Sequence, residues 1–315
     1  MEVRPAEASD IPAIVSLLKL SLGEALLPKS TEFWNWKHRN NPFGLSPVLL
    51  SLDKGVIVGV RAFMRWEWCL NNKVYTAVRA VDTATHPEYQ GKGIFKKLTL
   101  SLLDDTKASG TDFVFNTPNK KSRPGYLKMG WQDAGKLPVQ IAPVFLEKAL
   151  AVVRKPISVF ESTLPSDDTV NSLLNEDQKH GKGMRTRVSP AYLRWRYLSV
   201  PGLEYKTCYW ESPEGRVLFF GRLKHSKFGT EFRVTDFFCD NEFVSSRVKG
   251  RIKEYARSIG ADFVSCSGTL RSRFAMGIQT RLGPITTVRP FKGELDSILL
   301  GFNTWTPSLG DLELF

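Results

Sequence analysis

The chain has 315 residues, of which 42% are hydrophobic and 11% aromatic, enough to bury a core in each of two domains of about 150 residues. No apolar run approaches the ~20 residues that span a bilayer, and the charged N-terminus has no signal-peptide pattern, so we expect a cytoplasmic protein without membrane insertion. The net charge of +12 favours anionic partners, but the basic residues are dispersed, so we expect no specific nucleic-acid binding.

The first half of the chain begins with the pattern of a helix followed by antiparallel strands. Ser9 or Asp10 can cap a helix start, and apolar residues then recur at helical spacing from Ile11 to Leu22. Turn signals at 53–55 and 71–73 each separate two strand-like apolar runs. They predict two hairpins.

A glycine-containing turn then joins a strand to a helix. Residues 74–85 are rich in β-branched residues, Pro87 ends that run, and apolar residues recur at helical spacing from Ile94 to Ala108. Between them lies Gln90-Gly91-Lys92-Gly93. A helix start exposes unpaired N–H groups and a positive dipole end, and glycine lets an anion approach the backbone, so this turn predicts a phosphate site. An ordinary glycine turn into a helix is the alternative.

A second motif follows a short, buried strand at 112–117. It consists of Asn119, Ser122, Tyr126, Gly130 and Trp131, with a short helix predicted around the tyrosine.

Together the two motifs resemble the GNAT acetyltransferase superfamily. Its pyrophosphate loop has the pattern Gln/Arg-x-x-Gly-x-Gly/Ala, which Gln90 and Gly93 match, whereas Phe95 stands where Gly or Ala is usual. The second motif is similar to the family's order of Asn, a small residue, Tyr and Gly-aromatic. The resemblance implies an α/β (α+β) fold, in which a mixed, mainly antiparallel sheet is flanked by helices.

The resemblance also implies that acetyl-CoA is the cosubstrate. The strand that ends at residue 85 would bond the pantetheine arm through its backbone, the glycine turn would hold the pyrophosphate, and Tyr126 would protonate the departing thiolate. Packing of a short helix onto the sheet is the alternative role for Tyr126. The implied cofactor-binding residues are Thr83, Ala84, Thr85, Gln90, Gly91, Lys92, Gly93, Ile94, Phe95, Asn119 and Ser122.

Transfer to an amine also needs a base or a water chain, because the amine must lose a proton. Asp82, in the predicted central strand, is the first candidate, with a structural carboxylate as the alternative. Glu88 and Glu67 are weaker candidates, and the C-terminal carboxylate of Phe315 is another.

The cysteines and histidines predict no metal site. Cys69, Cys208, Cys239 and Cys266 show no metal-type spacing, and the four histidines form no cluster. We expect the cysteines to be buried free thiols.

The second half of the chain repeats features of the first. Trp36 and Pro42 have the same separation as Trp195 and Pro201, and the segment 109–114 is echoed by 259–264. The echoes predict a tandem duplication. The predicted division is a catalytic domain at 1–145, a linker with one helix at 146–185, and a degenerate GNAT-like domain at 186–315.

The second copy lacks the glycine turn. Residues 239–242 stand in its place, and their two carboxylates, Asp240 and Glu242, would repel a phosphate. We therefore expect coenzyme A to bind only the first copy.

These observations predict an acetyl-CoA-dependent N-acetyltransferase that acts on a primary amine of a small molecule or peptide. One alternative is a tandem GNAT-like aminoacyltransferase of the peptidoglycan-bridge type, which uses a charged transfer RNA; the intact glycine turn counts against it. Another is a non-catalytic scaffold, against which the presence of Tyr126 and Asn119 argues.

Overall fold

A computed structural model describes residues 1–23, 29–144, 163–180, 183–240, 242–269 and 276–312 of the protein, and the side chains of all of these except 180 and 242–247. The strands are β1 (Glu2–Pro5), β2 (Val48–Asp53), β3 (Val56–Leu70), β4 (Lys73–Thr85), β5 (Phe113–Asn116), β6 (Gln132–Lys136), β7 (Val139–Pro143), β8 (Arg185–Thr186), β9 (Lys206–Ser212), β10 (Gly215–Ser226), β11 (Gly229–Cys239), β12 (Phe263–Ser267), β13 (Ile278–Thr280) and β14 (Ile285–Pro290). The helices are α1 (Ile11–Leu22), α2 (Thr31–His38), α3 (Ile94–Ala108), α4 (Arg123–Lys128), α5 (Asp167–His180), α6 (Pro190–Leu193), α7 (Glu242–Ser258), α8 (Asp296–Leu299) and α9 (Leu309–Leu312).

The first sheet has the strand order β1-β2-β3-β4-β5-β14-β6, and β8 pairs with the C-terminal end of β3. Its pairs are antiparallel except for β4 and β5. Side chains alternate across a strand, so Leu49 packs under α3 while Leu50 packs under α1. The sheet therefore carries a helix on each face.

The second sheet has the order β9-β10-β11-β12-β7-β13, in which β11 and β12 are the parallel pair. Helix α7 packs on one face through residues such as Val248 and Ile252. Two mainly antiparallel sheets flanked by helices confirm the predicted fold class.

Each sheet is completed by a strand from the other half of the chain. Strand β7 precedes the second half in sequence yet lies between β12 and β13, and β14 lies between β5 and β6. The sheets are consequently not divided at residue 145, although the six strands β2-β3-β4-β5-β14-β6 of the first sheet follow the same order as β9-β10-β11-β12-β7-β13 of the second.

The repeated tryptophans meet at the junction of the two halves. The rings of Trp36 and Trp195 stack with centroids 4.9 Å apart. Each indole N–H donates to the backbone oxygen of the other residue, at 2.7 Å in both directions. Each tryptophan therefore makes the same contact with the other, which agrees with the repeat seen in the sequence.

Much of the predicted linker lies outside the described residues, including 146–162 and Gly181-Lys182. Its predicted helix is α5, which packs against β11. All four cysteines are buried and free, as expected from the sequence. In the described part of the chain, no helix is long and apolar enough to cross a membrane.

Candidate functional site

Strands β4 and β5 separate soon after they pair. They bond in parallel only from Ala77 to Arg79, opposite Phe113–Phe115. Beyond Arg79, β4 continues to Thr85 and bonds β3 on its other edge. A cavity of about 720 Å³ opens between the separated strands and is lined by residues 80–85, 116–119 and Tyr126. A strand edge of this kind can hydrogen-bond an extended ligand through its backbone.

Gln90 and Phe95, which lie on either side of the glycine turn, line this cleft, whereas Gly91, Lys92, Gly93 and Ile94 do not. Gly91 and Gly93 adopt φ values of 76° and 79°, in the left-handed region that favours glycine. A Cβ atom at either position would meet nothing within 4 Å, so the space beside the turn is open. Gly93 precedes the 15-residue helix α3 and supplies no side-chain cap to its first N–H groups. The turn thus has the chemistry of an anion site.

The ring of Phe95 packs inward from the first turn of α3. It meets the Tyr126 ring edge-on at 5.7 Å and joins the buried cluster beneath α3. A Cβ atom on Gly125 would lie 3.3 Å from the Phe95 ring. Phe95, which stands where Gly or Ala is usual, therefore packs against α4.

Helix α4 places Tyr126 on the wall of the cleft, with 5% of the residue exposed. The turn before α4 is held by the Asn119 side-chain oxygen, which accepts from the N–H groups of Lys121 and Ser122 at 3.0 and 2.9 Å. Asn119 and Ser122 also line the cavity. The second motif therefore forms one wall of the cleft, which Gln90 and Phe95 on either side of the glycine turn also line.

Arg61 on β3, which the sequence analysis did not single out, lies directly behind Tyr126. The residue is fully buried, and its Nη1 donates to the Tyr126 hydroxyl oxygen at 2.9 Å and to Thr83 Oγ1. Its Nε and Nη2 atoms are buried without a hydrogen-bond partner. Among the described residues no carboxylate pairs with it. A single basic residue inside the apolar run 58–64 is the signal that would have identified it.

A buried cation without a counterion is costly, because its charge is removed from water without compensation. The guanidinium carbon of Arg61 lies 5.4 Å from the Tyr126 ring centroid and 5.7 Å from that of Phe95, so aromatic faces supply part of the compensation. The two unpartnered donors of Arg61, Nε and Nη2, favour a negatively charged group beside Tyr126.

Asp82 lies at the cleft but is already paired. It is the bulged residue of β4, with φ 43°, and its Oδ2 lies 2.7 Å from Lys37 Nζ and 2.8 Å from His38 Nε2. Burial alone would raise the pKa of Asp82, but Lys37 and His38 outweigh burial and hold the pKa well below its usual range. Burial lowers the pKa of His38, which favours its neutral form. This arrangement favours a structural role for Asp82 over the role of base.

We expect Asp82→Asn to lower the free energy of unfolding by about 3 kcal/mol or more, because it leaves Lys37 buried without its carboxylate. The pKa of Asp82 is lower in the folded than in the unfolded chain, so the ion pair contributes fully above a pH of about 4 and is lost as the pH falls further. Urea unfolding should give the same difference in the free energy of unfolding between the variant and the wild type at pH 8, 6 and 4. The difference should become smaller only below pH 4.

Asp133→Asn is the control, since both side chains of its ion pair with Arg123 are more than a third exposed and the pair is expected to contribute little to stability. Normal stability of Asp82→Asn combined with a loss of turnover would instead identify Asp82 as the base.

The other candidate bases, Glu67 and Glu88, have environments that differ from that of Asp82. Glu67 pairs with Arg187 at 2.8 Å, and Glu88 lies exposed in the turn after β4. Phe315 is outside the described residues. Across the described ranges, no group of three or more His, Cys, Asp or Glu side chains is placed to hold a metal ion.

In the second half, Asp240 follows β11 where the glycine turn follows β4. It accepts from the Arg216 backbone N–H at 2.7 Å and from Arg216 Nε at 2.8 Å. Asn241 and the side chain of Glu242 are not described. Asp240 thus links the end of β11 to Arg216 of β10.

Comparison with known proteins agrees with this geometry. Residues 2–134 match the family model described as an acetyltransferase (GNAT) domain. Among solved structures, a probable N-acyltransferase from Enterococcus faecalis is 13% identical with a TM-score of 0.69, over 95% of this chain and 73% of that one. A GCN5-related N-acetyltransferase from Anabaena variabilis is 15% identical with a TM-score of 0.66, over 92% and 73%.

The N-myristoyltransferase of Saccharomyces cerevisiae, solved with myristoyl-CoA, is 10% identical with a TM-score of 0.54, over 92% of this chain and 78% of that one. At these identities the likeness concerns the fold. No curated protein matches the sequence significantly.

Proposed function

We propose that this chain, whose residues 2–134 match a GNAT acetyltransferase domain, is an acyltransferase that transfers the acetyl group of acetyl-CoA to a primary amine. The observation that carries the proposal is a cavity lined by Gln90 and Phe95 on either side of the glycine turn, by the edge of β4 and by Tyr126. An anion site beside the cavity, an extended backbone edge and a buried acid are the three features that a long phosphorylated thioester requires.

The residues present fit this cosubstrate. Gly91 and Gly93 leave space for a diphosphate, and the N–H groups at the start of α3 can donate to it. The backbone of Thr83, Ala84 and Thr85 would bond the amide-containing arm. Arg61, with two unpartnered donors and no described counterion, favours the negative charge that develops when a thiolate leaves.

Acetyl-CoA, when bound, supplies a thioester carbon: the amine nitrogen forms a bond to it, the carbon–sulfur bond breaks, and the sulfur leaves with the electron pair. Tyr126 would give its hydroxyl proton to the sulfur. Arg61 donates to the same oxygen, so the phenolic proton is directed away from Arg61 and toward the cleft. The attacking nitrogen loses its proton to water, since the pairing of Asp82 with Lys37 makes its carboxylate a weak base, and a proton from water then restores the Tyr126 hydroxyl.

The first test is a calorimetric titration with acetyl-CoA. We expect one equivalent to bind the wild type and the dissociation constant to rise about 100-fold or more in Gly93→Glu, an effect of roughly 2.7 kcal/mol. The substitution adds a side chain and a negative charge where the diphosphate would lie.

Gly110→Glu is the matched control. Gly110 has φ +84° and open space around it, as Gly93 does, but it follows the far end of α3. Equal losses in both variants would indicate backbone strain rather than a phosphate site. An absence of binding to the wild type would overturn the proposal and favour the aminoacyl-transfer or scaffold alternative.

A further inference from the structure

The second sheet has a face that α7 does not cover. Val264 and Ala142 pack under α7. Because side chains alternate along a strand, their neighbours Phe263, Ser265 and Ile141 point to the opposite side. At the start of β11 and along β7 and β12, that opposite side lines a cavity of about 840 Å³.

The wall of this second cavity is mainly apolar. Its apolar part includes Val139, Ile141, Phe263, Leu309 and Leu312. Its charged side chains are two basic and one acidic: Lys224, Arg233 and Glu231. Glu231 is 7% exposed, pairs with Arg233 at 2.8 Å and accepts from the Ser265 hydroxyl. Basic side chains therefore outnumber acidic ones in the lining of this cavity.

Thr117 connects this cavity to the cofactor cleft, because it lines both. Its Oγ1 donates to the Leu312 backbone oxygen at 3.1 Å and accepts from Arg79 Nη2 at 3.0 Å. The two cavities are therefore adjacent at Thr117, and a ligand in the second cavity would lie beside the cleft.

Two buried arginines fix the C-terminal wall. Arg79 donates to the backbone oxygen of Asp311 at 2.6 Å and to that of Leu312. Arg196 Nη2 donates to the backbone oxygen of Gly310 at 3.2 Å. Helix α9 is thus held by one arginine from each half of the chain, and the apolar side of the cavity is formed before a ligand binds.

We propose that this cavity binds the body of the acceptor, and that the acceptor is a primary amine on an apolar aryl or alkyl body rather than a polycation. The proposal rests on the proposed acetyl transfer and adds its substrate class. Apolar walls favour burial of an apolar body. The excess of basic side chains, in a protein of net charge +12, disfavours a ligand with several positive charges.

The test compares 4-phenylbutylamine with spermidine. Thiol release from acetyl-CoA gives kcat/KM for each amine, and calorimetry on the protein saturated with coenzyme A gives binding of 4-phenylbutylamine without turnover. We expect kcat/KM to be at least about tenfold higher for 4-phenylbutylamine.

Two variants test the location of the site. Leu282 is 73% exposed at the cavity, so Leu282→Lys should fold, raise the KM for 4-phenylbutylamine about tenfold and leave the KM for acetyl-CoA unchanged. Leu45→Lys, at a leucine that is 65% exposed and does not line the cavity, should change neither. Lys224→Glu should raise kcat/KM for spermidine, a gain that a merely disrupted fold would not give.

Preference for spermidine, or equal behaviour of the two leucine variants, would overturn the assignment while acetyl-CoA binding still supports the proposed function. Binding of 4-phenylbutylamine that is lost in Leu282→Lys, without acetylation of either amine, would retain the site and reject acetyl transfer.

Discussion

Tyr126→Phe is expected to lower kcat by two to four orders of magnitude while the dissociation constant for acetyl-CoA stays within about threefold. The substitution removes the hydroxyl that would protonate the leaving sulfur and keeps the ring that packs against Phe95 and Trp131. Single-turnover kinetics with saturating acetyl-CoA would measure the chemical step, and calorimetry would measure binding.

The substitution also leaves Arg61 without one of its acceptors, so some loss of stability is expected, about 1–3 kcal/mol for an unsatisfied buried donor. Tyr75→Phe is the control, because Tyr75 is a buried tyrosine of β4 far along the strand from the cleft. Unchanged turnover in Tyr126→Phe would mean that Tyr126 only packs α4 onto the sheet.

Arg61→Met should lower kcat about 10- to 100-fold without lowering the melting temperature. Methionine fills a similar space, and replacing a buried charge with an apolar side chain is often neutral or stabilising. Activity should fall because the phenolate formed on Tyr126 loses its cationic donor. Parallel measurement of kcat and of thermal unfolding separates these effects, which a purely structural arginine would change together.

A double-mutant cycle tests whether Arg61 acts through Tyr126. If it does, Arg61→Met combined with Tyr126→Phe should be no slower than Tyr126→Phe alone. Arg61→Lys should recover part of the activity, since it restores a cation but not the planar donor geometry. Additive losses in the double variant would show that Arg61 acts on the reaction independently of Tyr126.

The parts of the site that depend on local sequence could be predicted. The conformation of the turn at Gly91 and Gly93 could be predicted, because glycine adopts left-handed backbone angles more readily than any other residue. Tyr126 could be placed for a similar reason, since Asn119 and Pro124 define the start of the short helix that carries it.

The environments of Arg61 and Asp82 could not be predicted, because they depend on distant residues. Tyr126 follows Arg61 by 65 positions, and His38 precedes Asp82 by 44. Sequence patterns identify which residues lie in a strand but not which helix packs over them. Asp82 could therefore be placed in the central strand, whereas its partners on α2, which determine its basicity, could not.

The exchange of β7 and β14 has a consequence for how the protein is made. Strand β14, which lies between β5 and β6, is synthesised roughly 170 residues after β5 and roughly 150 residues after β6. A nascent chain that ends near residue 145 therefore exposes unpaired edges on β5 and β6, which is the kind of surface that promotes aggregation. The first sheet can close only after the ribosome has translated most of the second half, so the two halves must complete their folding together.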